Sequence, residues 1–108
     1  MSIEQSVYRK IVGLKEEMEA ITAGIKSSDI ILDVDAKISA IRIYVGGRIV
    51  GTDTSGESSS ISGELHEALV LAIRETTAKH KRRLMKRLMA TVSNAHIQIR
   101  EAMKESNG

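Results

Sequence analysis

The amino-acid sequence predicts an α+β fold in one domain: an N-terminal helix, a three-stranded antiparallel β-meander and a long C-terminal helix. Three observations predict it. Apolar residues recur at helical spacing over residues 2–26. Between residues 30 and 52 the period shortens to that of extended chain, with a Gly-Gly pair inside it. From about residue 62 the helical period returns and lasts almost to the C-terminus.

In residues 2–26 the apolar positions are Ile3, Val7, Ile11, Leu14, Met18, Ile21 and Ile25, spaced 4, 4, 3, 4, 3 and 4 apart. That spacing draws one continuous stripe along a helix. Gly24, then Lys26, Ser27, Ser28 and Asp29, supplies an expected end. The meander is expected over 30–52. IILDV (30–34) and ISAIRIYV (38–45) are rich in β-branched residues, and RIVGT (48–52) follows. Asp35-Ala36-Lys37 would turn the chain between the first two strands. Gly46-Gly47 is a two-residue hairpin signal, because both positions accept positive φ.

Residues 53–61 form an expected polar loop, rich in Ser and Thr. Ser60 or Ser62 would cap the next helix, and Glu64 and Glu67 suit its positive start. The last helix is expected over 62–105, with Leu65, Leu69, Ala72, Ile73, Leu84, Leu88, Val92, Ala95, Ile99 and Met103 on its apolar side. At 1.5 Å per residue it would be roughly 60–65 Å long. It therefore either projects beyond the body or breaks near Ser93-Asn94; the long helix is the expectation.

Composition limits the function classes. Phe and Trp are absent, and Tyr8 and Tyr44 are the only aromatic residues. A core made of Ile, Val, Leu, Met and Ala in a chain this short is modest, so a homodimer is expected. The absence of cysteine excludes disulfides, thiolate nucleophiles and cysteine zinc sites. No apolar run approaches the roughly 18 residues of a membrane span, and the N-terminus has no apolar signal core. A soluble cytoplasmic protein is the plain expectation.

The chain has 16 Lys and Arg against 14 Asp and Glu, but the positive charge is concentrated. KHKRRLMKR (79–87) holds six of the cations, and no acid occurs from Thr76 to Arg100. On a helix with Lys79 at the origin, Arg82 lies at about 300°, Lys86 at about 340°, Arg83 at about 40° and Arg87 at about 80°. Five cations thus share an arc of about 140°. Lys81, at about 200°, falls on the apolar side and must snorkel out of it. Like charges at i,i+4 repel, so an offsetting partner is expected.

A phosphate backbone is one such partner. Carboxylates of Glu16, Glu17 and Glu19, lying alongside in an antiparallel helix pair, are another, as are water and salt. With so few aromatics, stacking on single-stranded bases is disfavoured, which points to duplex DNA. Lys79, Arg82, Arg83, Lys86 and Arg87 are the expected phosphate contacts, with Lys81 and Arg100 as lesser ones. The rival is a small bacterial or phage inhibitor or adaptor that docks the same helix on an acidic protein surface.

The sequence holds no credible catalytic constellation, and no cofactor, metal or small-molecule substrate is expected. His66, His80 and His96 lie about 21 and 24 Å apart along one helix and cannot share a metal; surface or interface positions are expected. Asp33 and Asp35 would face solvent from a strand, since two acids without a third ligand are a weak cation signal. The segment from Gly51 to Ser58 has Walker-like glycine spacing, but Glu57 stands where lysine should meet phosphate.

The order helix, three strands, long helix is similar to the YbaB/EbfC family of small nucleoid-associated proteins. ELHEALVLAIRETTAKHKRRLMKRLMATVS (64–93) resembles that family's last helical region, and IILDVDAKISAIRIYV (30–45) resembles its first β-hairpin. The chain lacks the family's Met- and Gln-rich first helix, its acidic-Pro segment and its Gly/Pro-rich tail. The resemblance implies a dimer built through the central sheets, projecting helices that hold duplex DNA at the nucleoid, and no catalysis.

Overall fold

The computed structural model describes residues 3–53, 60–61 and 63–107. The elements are α1 (Ile3–Leu32), β1 (Ala40–Val45), β2 (Arg48–Asp53), β3 (Ser60–Ile61) and α2 (Gly63–Asn107). The α+β class is as expected. The chain divides into two compact units, Met1–Ser27 with His80–Gly108, and Ser28–Lys79.

The first unit is a pair of antiparallel helical segments. Gly24 of α1 faces Leu84 of α2, and Glu17 reaches Arg87 and Thr91. Lys10 and Leu14 share a surface depression with Asn94 and Gln98. Partners therefore advance along one helix as they recede along the other. On α1, Val7, Ile11, Leu14, Met18, Ile21 and Ile25 are buried or half-buried, the stripe read from the sequence. On α2 the matching seam is Lys81, Leu84, Leu88, Thr91, Ala95, Gln98 and Ala102. Both seams alternate steps of three and four, the spacing that keeps one face against a partner helix over several turns.

The α2 seam corrects the expected apolar side. Val92, Ile99 and Met103 are 50%, 43% and 60% exposed. Past Leu88 the contact line steps three residues to Thr91, not four to Val92, because a 3.5-residue repeat drifts off a stripe drawn through apolar residues alone. Thr91 and Gln98 are polar, so hydrophobicity did not mark them. Nor does α2 break at Ser93-Asn94, which are both helical.

The second unit brings three corrections. Helix α1 continues to Leu32, so Ile30–Leu32 are helical and the expected strand 30–34 does not form. Ile25, Ser28 and Leu32 extend the three-four rhythm, and Ser28 is buried. That packing outweighs the β preference of two isoleucines. The turn expected between strands instead joins α1 to β1. The Ala36 amide donates to the Asp33 carbonyl (3.2 Å), and the Asp35 amide to Asp33 Oδ1 (3.0 Å). Asp33 and Asp35 are thus exposed turn residues rather than neighbours on a strand face.

The meander becomes an antiparallel hairpin, β1 with β2, in register from Ala40 opposite Asp53 to Val45 opposite Arg48. The two-residue β3 pairs parallel to β2, Gly51 with Ser60 and Thr52 with Ile61. The Gly46-Gly47 expectation holds: their φ angles are 54° and 79°, as a two-residue hairpin with two left-handed positions requires. Of the expected loop, Asp53 belongs to β2 and Ser60–Ile61 to β3, while residues 54–59 and 62, including the cap proposed for Ser62, lie outside the described residues.

Candidate nucleic-acid interface

All seven sequence-nominated cations lie on α2. Lys79, Arg82, Arg83, Lys86, Arg87 and Arg100 are exposed. Lys81 is half-buried in the seam, the position its angle required. A continuous helix explains the grouping: with 3.6 residues per turn, Arg83 falls about one turn beyond Lys79 and Lys86 about one turn beyond Arg83.

The carboxylates expected alongside are only partly engaged. Arg87 Nη2 lies 3.6 Å from Glu17 Oε1, with the two side chains 62% and 45% exposed. Glu17 Oε1 also accepts the Thr91 hydroxyl at 3.5 Å. Glu19 pairs with Lys15 of its own helix instead, at 3.9 Å. Among the described residues, no carboxylate lies within 4.0 Å of Lys79, Arg82, Arg83 or Lys86. A solvent-exposed pair such as Arg87–Glu17 contributes little, at most about 1 kcal/mol. Arginine also carries five N–H donors, so one carboxylate leaves most of them available.

The face beside these cations is apolar and exposed. Met85, Met89, Val92, Ile99 and Met103 are each 43–71% exposed. Among the described residues only Ile21 and Leu84 are buried apolar side chains.

The histidines separate as their spacing required. His80 and His96 are exposed. His66 departs from the surface expectation: it is 2% exposed and held at both ring nitrogens. Nε2 lies 2.9 Å from the Ile38 carbonyl and Nδ1 2.9 Å from Thr52 Oγ1. A carbonyl only accepts, so Nε2 carries a proton. In the neutral ring, Nδ1 then accepts from the Thr52 hydroxyl. An open depression of about 360 Å³ beside this group is lined by Lys37, Ile38, His66, Glu67, Val70 and Leu71. Among the described residues no group of three His, Asp or Glu side chains is arranged to hold a metal ion.

Arg74 was not nominated from the sequence. Its Nε donates to the Ile31 carbonyl (3.3 Å), and Nη2 to those of Asp33 (3.4 Å) and Ala36 (2.7 Å). No basic residue occupies the last turn of α1, so Arg74 of α2 supplies the positive charge that a helix C-terminus favours. The contact joins residues about forty positions apart, and no local signal announces it.

Among the described residues no helix is long and apolar enough to cross a membrane. No family model matches the chain, and neither does any curated protein or solved structure.

Proposed function

We propose that the protein is a non-enzymatic, dimeric nucleic-acid-binding protein that grips the backbone of duplex DNA, in the cytoplasm, through the basic segment of α2. The observation that carries this reading is a row of exposed cations, Lys79, Arg82, Arg83 and Lys86, with no carboxylate within ion-pair distance among the described residues. Mutual repulsion along such a row raises the energy of the free protein, and phosphates relieve it. Arg87, Lys81 and Arg100 contribute less: the first is shared with Glu17, the second is half-buried, and the third stands well apart along the helix. Phosphate contacts carry no base information, so any sequence preference would come from duplex shape.

The test is retention of random duplex DNA across a salt series. Four phosphate contacts per chain, eight per dimer, give a slope of log affinity against log salt of about −7. The double variant Arg82→Glu, Arg83→Glu should abolish retention while helix content stays unchanged. Unaltered retention refutes the site. A flat salt response together with stoichiometric capture of an acidic protein from nuclease-treated lysate would transfer the same helix to a protein partner.

A further inference from the structure

Within the first unit, α2 presents three stripes in sequence around its circumference. The seam that includes Leu84, Leu88, Thr91 and Ala95 lies against α1. About 100° further round runs Met85, Met89, Val92, His96, Ile99 and Met103, again in alternating steps of three and four. All six are exposed. About 100° beyond that come Arg83 and Lys86, then Ala90, Ser93 and Ile97, then Arg100 and Lys104, all exposed, with the cations at the two ends and Glu101 on the stripe's edge.

The middle stripe has the spacing of a coiled-coil seam and continues the α1–α2 interface by one position round the helix. It is also symmetric along its length about Asn94. Turned end for end, Met85 meets Met103, Met89 meets Ile99, and Val92 meets His96. A two-fold axis requires that self-complementarity, which the alternating three-four spacing of this stripe supplies. The α1–α2 seam is the poorer of the two beyond Leu88, where α2 offers Thr91, Ala95, Gln98 and Ala102. The larger apolar side chains of that region sit on the exposed stripe.

We infer that a second copy of this chain covers the Met85–Met103 stripe, α2 against α2 and antiparallel, and that the two basic stripes thereby join into one phosphate-binding ridge across the dimer axis. The pairing puts both α1 helices on one side of the α2 pair and both basic stripes on the other. Lys86 of one copy comes level with Arg100 of its partner, and Arg83 with Lys104. These like charges oppose dimerisation in dilute salt and favour it once a polyanion lies along the ridge. The charge fit is therefore between the assembled pair and a duplex backbone, and each copy completes the other's site. The interface rests on the dimeric part of the function proposed above. The dimer itself is measured without nucleic acid.

Light scattering on the full chain at moderate salt should give twice the chain mass of 11.8 kDa. Met89→Glu should give the single mass with helix content retained, and its DNA salt slope should fall to about half that of the parent. A monomeric parent, or a Met89→Glu variant that remains dimeric, overturns the interface. Orientation is read from cysteines placed in the cysteine-free chain. Ser93→Cys, beside the axis, should oxidise to a covalent dimer. Met85→Cys alone should not, but mixed with Met103→Cys it should. Cross-linking of Met85→Cys alone would mean parallel helices and overturn the shared ridge. A dimer with these cross-links that fails to bind duplex DNA would leave the interface standing and remove the nucleic-acid reading.

Discussion

Through His66 a helix is tied to strand β2 by a buried hydrogen bond to Thr52 and to the chain before β1 by a part-buried one to the Ile38 carbonyl. Thr52→Val keeps the shape and removes the hydroxyl, leaving the Nδ1 of a buried ring without a partner. The expected cost is about 1–3 kcal/mol in urea unfolding, whereas Thr52→Ser should cost much less. Arg74 acts similarly on the end of α1, where three carbonyls receive its guanidinium. Arg74→Ala should lower stability by about 1.5–3 kcal/mol. Arg74→Lys should recover only part of this, because one ammonium cannot reproduce a planar fork directed at separated acceptors. Equal stability of the lysine variant and the parent would show that charge alone is at work.

At the scale of elements, the glycines of α1 separate propensity from packing. Nothing lies within 4 Å of a β-carbon added at Gly13, whereas one at Gly24 would stand 3.0 Å from Leu84 Cδ1. Gly13→Ala should therefore stabilise by about 1 kcal/mol, the full propensity difference. Gly24→Val should destabilise by about 1–3 kcal/mol, since the buried Leu84 must move aside. Thermal melts of the two variants in opposite directions would support the register of the helix pair. Parallel shifts would count against it. A glycine placed to admit a neighbour also explains why α1 runs through Gly24 to Leu32 rather than ending there.

For the whole molecule, Glu17 is an internal competitor for an outside anion. It holds Arg87 at 3.6 Å and offers no bond that phosphate could not replace. Glu17→Gln should tighten binding to duplex DNA and steepen the log–log salt slope by about 1.8, the contribution of one added phosphate contact in each chain of the dimer. An unchanged slope would mean that Arg87 does not reach the nucleic acid. The loss of the Glu17–Arg87 pair should itself be almost invisible in unfolding, as exposed pairs usually are.

The parts of this protein legible in its residues are those governed by local periodicity and backbone preference. The α1 stripe from Val7 to Ile25, the turn at Gly46-Gly47 and the grouping of cations on one helix each depend on neighbours a few positions away. Long-range packing settled the rest. Ile30–Leu32 are helical because a seam extends through Ser28 and Arg74 receives the helix end. The contact line of α2 runs through Thr91 and Gln98 because a partner helix selects a geometric repeat, whatever the polarity of the residues on it. His66 is buried because the Ile38 carbonyl and the Thr52 hydroxyl meet it from distant positions, and spacing along a chain carries no record of such meetings.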